Sequence, residues 1–403
     1  MQQEKSHRIP WSILVSVVLL AFVLFLPMTS VPPMEHILKE ELALTHAQTS
    51  LLFSIPIMMI GAVAVPAGIL SDRIGIRKAA GIGAIILALG SILRSTATTP
   101  SSLLAFTVIY GIGMGWVWPN LPKLVGAWAP REKTGLSTGI YSAGLYAGAA
   151  VGIAFTMPLV FPITNTFQGV FFFWGIPPIV AAALWWILVR EPPSNAVNNE
   201  PITQSITPFH QVIQNRSLWL LSAFFLLYSI FIYSWMGWVP ALLILKGATP
   251  ELAGFISSIT MWVAIPIVFF IPRLSHKLGL RKPFLWVPAI IMAIAAWAVI
   301  SISLPMSWLP MVLVAVAEAS MLVTTLSLPI EMVPEKDIGT ASGLMLGIGH
   351  SGALIGPWIS GYLFDLTGNL NASFLLLAGI AIASIGIVFK LPETRPRAQA
   401  KKG

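Results

Sequence analysis

Two ionisable side chains stand inside long apolar stretches of this chain. Glu318 lies in the stretch 308–331 and His350 in 340–366, each about ten residues, or ~15 Å at the helical rise, from one end. A carboxyl group in apolar surroundings takes up a proton more readily than in water, because desolvation disfavours the charged form. Histidine changes charge near neutral pH. The two residues could therefore couple proton movement to another process, with Glu318 as the main carrier and His350 as a relay or ligand.

A structural role fits the same two residues. A protonated Glu318 could form a local hydrogen bond, and a neutral His350 could pack between helices without any chemistry. Both roles stay open, and the choice depends on the elements that carry the two side chains.

The composition indicates that these elements are membrane helices. The chain has 403 residues, of which 56% are hydrophobic and 9% are charged, whereas soluble proteins carry about 25% charged residues. There is no cysteine, which excludes disulfides, thiolate metal sites and a cysteine nucleophile. No phosphate-binding loop or metal-ligand spacing stands out either. We therefore expect an α-helical protein of the lipid bilayer that is not an enzyme and needs no metal or cofactor.

The apolar stretches fall into two sets of six. A helix needs about 20 apolar residues to cross a ~30 Å bilayer core. Residues 191–214 are polar and proline-rich, which predicts a linker between an N-terminal bundle (1–190) and a C-terminal bundle (215–403). The predicted spans are 11–32, 47–70, 79–98, 102–124, 135–160 and 168–190, then 215–243, 252–273, 283–303, 308–331, 340–366 and 372–390.

The basic residues give these spans a direction. A net charge of +8 could suggest nucleic acid, but Lys and Arg stand in short clusters between apolar stretches. With both termini in the cytoplasm, the cytoplasmic segments hold every Lys and Arg except Lys39, Arg94 and Lys246. This is the positive-inside bias. It predicts an inner (plasma) membrane protein with cytoplasmic termini and no nucleic-acid partner.

The chain repeats itself at an interval of 204 residues. Residues 71–78 (SDRIGIRK) match 275–282 (SHKLGLRK) with identical or similar residues except at Asp72, which aligns with His276. Glycines such as Gly148 and Gly352 fall in the same register. The duplication predicts two related six-helix halves. Runs of glycine at four-residue spacing predict close helix packing at moving contacts between these halves.

Residues 68–78 (GILSDRIGIRK) resemble the signature loop of the major facilitator superfamily, and the likeness extends to span number, duplication and linker. The resemblance implies twelve transmembrane helices in two pseudo-symmetric six-helix bundles, working by alternating access as a monomer. It also implies that the loop gates the cytoplasmic side, although the loop could instead only orient the chain by charge. Lys123 could alternatively bind an anion. The gating candidates are Asp72, Arg73, Gly75, Arg77 and Lys123.

Three further segments are similar to cyanate-type and organic-anion porters within this superfamily. They are Ser54-Ile55-Pro56, Gly356-Pro357 and Asp365-Leu366-Thr367-Gly368. The Gly-Pro pair of drug–proton antiporters is missing from the fifth span.

Aromatic residues are the remaining candidates for substrate contact. The resemblance places the fourth and seventh helices on a central cavity, where an aromatic wall suits a small organic anion with an apolar body. Trp235 and Trp238 fit an interfacial aromatic belt equally well, and Arg94 is expected to extend to the membrane interface or to attract anions. The substrate-binding candidates are Tyr110, Trp118, Tyr146, Tyr228, Tyr233, Glu318 and His350.

These observations predict a secondary transporter that moves a monocarboxylate-like anion with protons. Its partners are a small-molecule substrate, protons and the bilayer. Proton-driven efflux of lipophilic compounds is the alternative within transport. A transporter-like sensor or a lipid-handling protein is the alternative from another class.

Overall fold

The computed structural model describes residues 10–128, 134–190, 214–334 and 337–394, and these are almost entirely helical. No β-strand occurs in these ranges. The first bundle ends with a π-helical turn, Thr156–Val160, and two further helices. Its helices are α1 (Trp11–Thr29), α2 (Glu35–Leu42), α3 (His46–Ile74), α4 (Ile76–Leu93), α5 (Pro100–Val117), α6 (Asn120–Trp128), α7 (Thr134–Phe155), α8 (Phe161–Thr164) and α9 (Phe167–Leu188).

The second bundle has six long helices. They are α10 (Arg216–Leu245), α11 (Pro250–Leu278), α12 (Pro283–Ser301), α13 (Trp308–Met332), α14 (Ile338–Thr367) and α15 (Asn371–Lys390). Most of the predicted linker, 191–213, lies outside the described residues.

The helices match the predicted membrane spans. Eleven helical segments of the described chain are long and apolar enough to cross a bilayer. The helix α14 is not among them, because its glycines, Pro357 and His350 dilute its apolar residues. It has 30 residues, enough to cross at 1.5 Å per residue, and it packs inside the assembly against α3 and α10.

The predicted boundaries fail where the chain contains proline. The expected loop after the first span holds a short turn at Pro32–Met34 and then the helix α2. The fourth span breaks between α5 and α6 at Pro119, a residue that has no N–H to donate to the helix.

The duplication is visible in the backbone and in the packing. Gly75 ends α3 with φ 91°, and Gly279 follows α11 with φ 65°, a region open to glycine at little cost. Helix pairs recur in the same order: α1 packs on α7 as α10 packs on α14, and α4 packs on α5 as α12 packs on α13. The two bundles are therefore related by pseudo-symmetry.

Several glycines lie where two helices of the same bundle cross closely. Gly144, Gly148 and Gly152 face α1, and a side chain at Gly148 would collide with the carbonyl of Phe22. Gly356 lies in the same way against α10. Gly347, in the second predicted run (Gly339, Gly343 and Gly347), lies beside Gly61 of the other bundle. The prediction of contacts between the halves is therefore wrong only for Gly144, Gly148 and Gly152. They are small because helices of one bundle cross closely there.

The two most extensive contacts between the bundles are those of α3 with α14 and of α7 with α11. We call the end that carries the turns at Gly75 and Gly279 the basic end, after the neighbouring Arg77 and Arg281. The opposite end, which carries His46 and Gly368, is called the distal end.

Candidate functional site

The carboxylate of Glu318 is buried in the middle of α13 and held by two tyrosines. The Tyr146 hydroxyl donates to Oε1 at 2.8 Å and to Oε2 at 3.0 Å. The Tyr228 hydroxyl donates to Oε1 at 3.1 Å. Glu318 is only 4% exposed, and buried polar groups need such partners. Among the described residues Glu318 forms these hydrogen bonds and no ion pair.

The cluster spans both bundles. Tyr146 belongs to α7 of the first bundle, whereas Tyr228 and Glu318 belong to α10 and α13 of the second. Close packing of α7 on α1 fixes the position of Tyr146. The Tyr228 ring stacks on Phe225 at 5.6 Å and 16°, which fixes its orientation. The hydrogen bond from Tyr146 is therefore a direct link between the bundles at a single ionisable group.

His350 lies nearby on α14 but does not contact Glu318 through any hydrogen bond described for either residue. Its Nδ1 is 2.8 Å from the Leu346 carbonyl oxygen, so Nδ1 carries the hydrogen in this arrangement. The imidazole meets Phe225 edge-on at 5.5 Å, and Phe225 in turn stacks on Tyr228. The described contacts therefore connect His350 to Glu318 through the rings of Phe225 and Tyr228.

Two more predicted residues approach this region. Trp118, at the break between α5 and α6, is 6.3 Å from His350 and 5.9 Å from Phe25 by ring centroids. Trp118 therefore forms a contact between the first bundle and His350 of the second bundle. Tyr233 is half-buried on α10, the helix that also carries Tyr228.

Tyr110 lies elsewhere, inside the first bundle. Its hydroxyl donates to the carbonyl of Leu24, and its ring lies 5.6 Å from the Arg94 guanidinium. Arg94 is fully buried, donates from Nη1 to the Pro27 carbonyl at 3.0 Å and lies 4.0 Å from the Phe171 ring centroid. The expectation that Arg94 reaches the membrane interface is wrong, because neighbouring helices cover it and aromatic rings stabilise its charge.

The tryptophans of α10 also differ from the expected aromatic belt. Trp235 is 1% exposed and Trp238 is 2% exposed. The Trp238 indole donates to the Pro357 carbonyl at 2.9 Å. Both residues are therefore covered by other helices, and Trp238 also approaches His46 of the first bundle.

The predicted gating residues lie together at the basic end. Arg77 donates to the Trp186 carbonyl at 2.8 Å and lies over the Trp186 ring. Lys123 donates to the Gly68 carbonyl at 3.2 Å and so connects α6 to α3. Arg73 is exposed. The side chain of Asp72 lies outside the described part of the structure, as does that of its repeat partner His276.

Sequence reasoning missed an ion pair at the same end of the second bundle. Arg281 Nη2 lies 2.6 Å from Glu331 Oε1, and the backbone N–H groups of Arg281 and Lys282 donate to Glu393 at 2.6 and 3.2 Å. Thr394 donates to Glu331 at 2.7 Å. The repeat provided a signal, because Arg281 corresponds to Arg77 at the 204-residue offset.

Two pseudo-symmetric helical bundles with an ionisable cluster between them are the architecture of a secondary transporter. The chain belongs to the Major Facilitator Superfamily, whose family model matches residues 17–286 and 239–403. It is therefore a membrane transporter and not an enzyme.

Individual relatives are distant but cover nearly the whole chain. The cyanate transport protein CynX of Escherichia coli (strain K12) is 24% identical over 90% of this chain and 93% of its own length. The 3-(3-hydroxy-phenyl)propionate transporter of the same organism is 26% identical over 89% of this chain and 88% of its own. A bacterial homolog of the human lysosomal transporter Spinster, solved in an inward-facing and unoccupied conformation, has the same fold. Its TM-score is 0.79 at 18% identity, covering 95% of this chain and 97% of that one.

Proposed function

We propose that this transporter carries a small organic anion, of the monocarboxylate type, together with protons by alternating access. The observation that carries the proposal is the buried carboxylate of Glu318, which accepts hydrogen bonds from tyrosines of both bundles.

Glu318 suits a proton carrier because no cation compensates its charge among the described residues. Burying a carboxylate without a cationic partner costs several kcal/mol, and a bound proton removes most of that cost. Phenol hydroxyls can still exchange hydrogen bonds with the neutral form. The site can therefore hold Glu318 in either protonation state.

The same proton affects the contact between the bundles. An ionised carboxylate accepts hydrogen bonds from Tyr146 and Tyr228 together, and these charge-assisted bonds are about twice as strong as neutral ones. Protonation weakens both bonds, including the one that crosses from α7 to α13. Proton binding thus shifts the balance between two arrangements of the bundles, as differential affinity requires.

The proton also controls the affinity for an anion. An ionised Glu318 repels a carboxylate substrate, whereas a protonated Glu318 can donate a hydrogen bond to it. Trp118 and Tyr233, which are half-buried, offer aromatic surface for the apolar part of such a substrate, and His350 lies beside Trp118. The names of two relatives, which mention cyanate and a phenylpropionate, are in keeping with an anionic substrate.

The orientation and organisation follow the same proposal. The basic end faces the cytoplasm by the positive-inside bias, in an inner (plasma) membrane with both termini on that side. Residues 1–190 and 215–403 move as the two bundles of one monomer, with 191–214 as the cytoplasmic linker.

Uptake into liposomes with an imposed proton gradient tests the proposal. Purified protein is assayed with radiolabelled small and aromatic monocarboxylates. We expect wild type and Glu251→Gln, an exposed control on α11, to accumulate substrate when the gradient is present. Glu318→Gln should lose accumulation and keep exchange of substrate across the membrane. Gradient-driven uptake by Glu318→Gln would contradict the proton role, and transport of lipophilic compounds alone would support efflux instead.

A further inference from the structure

A cluster at the distal end joins the two bundles a second time. Asp365, in the last turn of α14, reaches the first turn of α3 in the other bundle. Its Oδ1 accepts the backbone N–H of His46 at 3.1 Å, and its Oδ2 accepts that of Ala47 at 3.1 Å. The first N–H groups of a helix have no partner within it, and they favour a negative charge. One carboxylate therefore binds the start of a helix across the interface.

The imidazole of His46 extends this contact. Its Nδ1 is 2.6 Å from Glu35 Oε1, and its Nε2 is 2.6 Å from Lys39 Nζ. Because an ammonium group only donates, Nε2 accepts and Nδ1 donates its hydrogen to Glu35. Two side chains of α2 thus fix the plane of the His46 ring.

The fixed ring then packs on the second bundle. It stacks on Phe364 of α14 at 4.0 Å and 29°, and the edge of Trp238 approaches it at 5.8 Å. We call Glu35, Lys39, His46, Phe364 and Asp365 the distal latch. Its members come from α2, α3 and α14, and so from both bundles.

The latch leaves no room between the helices that it joins. A side chain at Gly361 would come within 2.8 Å of the His46 carbonyl oxygen and 2.9 Å of the Ala47 nitrogen. Below the latch, Thr49 and Ser50 of the first bundle and Gly237 of the second line a small cavity. Ser50 is only 7% exposed there. The α3–α14 interface is therefore closed at this end.

We propose that the distal latch is the gate that closes the distal mouth of the transport path, and that Asp365 holds it shut. Opening toward this side requires the two hydrogen bonds of Asp365 and the stacking of His46 on Phe364 to break together. Asp365 does not contact the Glu318 cluster, so its role is to position the bundles. The gate operates whatever the substrate is, and whether or not protons are coupled.

The absence of cysteine makes the gate directly measurable. Ser50→Cys places a single thiol behind the latch, and its reaction rate with a maleimide reports how often the latch opens in the purified protein. Adding Asp365→Asn removes the charge and one acceptor. We expect labelling to accelerate about tenfold or more, the factor that corresponds to about 1.4 kcal/mol.

Glu393→Gln is the matched control, because Glu393 accepts the backbone N–H groups of Arg281 and Lys282, just before α12, within a single bundle. It should leave the labelling rate of Ser50→Cys unchanged. An unchanged rate in Asp365→Asn, or an equal increase in both variants, would overturn the assignment. If Asp365→Asn does not elute as a folded species on size exclusion, Phe364→Leu is combined with Ser50→Cys instead. An unchanged labelling rate in that variant, or an increase equal to that in Glu393→Gln, would again overturn the assignment.

Discussion

The substitution Tyr146→Phe removes the hydroxyl that links Glu318 to the first bundle. A hydrogen bond to a charged group contributes about 1.5–3 kcal/mol, and one between neutral groups about 0.5–1.5 kcal/mol. The difference, about 1–1.5 kcal/mol, is the amount by which Tyr146 favours the ionised form of Glu318. At 1.36 kcal/mol per pH unit, it corresponds to about one unit.

The sign of the effect follows from the bond that is lost. Without the hydroxyl the ionised carboxylate is less stable, so Glu318 keeps its proton to higher pH. The midpoint of its titration should therefore rise by about one unit in Tyr146→Phe. The change should also weaken the contact between the bundles, because the same hydroxyl provides both effects.

Infrared difference spectroscopy of the protonated carboxyl band measures this midpoint without knowledge of the substrate. The band that disappears in Glu318→Gln identifies the residue, and its amplitude is then followed against pH in wild type and in Tyr146→Phe. Tyr362→Phe, an exposed residue of α14, serves as the control and should titrate like wild type. If Tyr146→Phe also titrates like wild type, the hydrogen bond does not couple the charge of Glu318 to the first bundle.

Three further predictions concern stability, measured by thermal unfolding of the purified protein. Gly148→Ala should destabilise the folded protein by about 1–3 kcal/mol, because the added methyl group would collide with α1. Gly386→Ala on α15, where the space around the glycine is open, is the control and should be neutral or slightly stabilising. Equal effects of the two substitutions would contradict the packing argument. Arg94→Lys should lower stability by about 1–2 kcal/mol, since an ammonium group cannot stack on Phe171 as a guanidinium does, and an unchanged unfolding temperature would show that the stacking contributes little. Glu331→Gln should cost about 3 kcal/mol because Arg281 loses its buried partner, and a stability like that of wild type would mean that Arg281 finds another partner.

The fold was largely predictable from the sequence, because lipid imposes length and apolarity on every span. The repeat of residues 71–78 at 275–282 predicted the duplication, and both glycines of that repeat have the positive φ that a tight turn requires. The helix α2 was missed because two prolines and several charges are typical of a loop. It is nevertheless helical, with Glu35 in its first turn and Lys39 in its last, and it lies beside the start of α3.

The candidate site was predictable in part. Depth within an apolar stretch singled out Glu318, and Tyr146 lies at the position that corresponds to His350 at the 204-residue offset, but neither observation shows that the side chains of Glu318 and Tyr146 meet. Their hydrogen bond joins residues 172 positions apart, a distance over which helix periodicity carries no information. The contact between Asp365 and His46 spans 319 positions and was missed for the same reason. Whether Glu318 and its neighbours bind protons and substrate stays a prediction.

Proton movement that accompanies substrate is the most direct test of proton-coupled transport by this protein. Liposomes containing the protein are placed in weakly buffered medium without a pH gradient, a transported monocarboxylate is added, and the external pH is recorded. We expect the medium to become alkaline as protons enter with the anion, and we expect Glu318→Gln to abolish this change. Uptake of the anion by wild type with no change in external pH would contradict proton coupling, and alkalinisation by Glu318→Gln would assign the proton to another group.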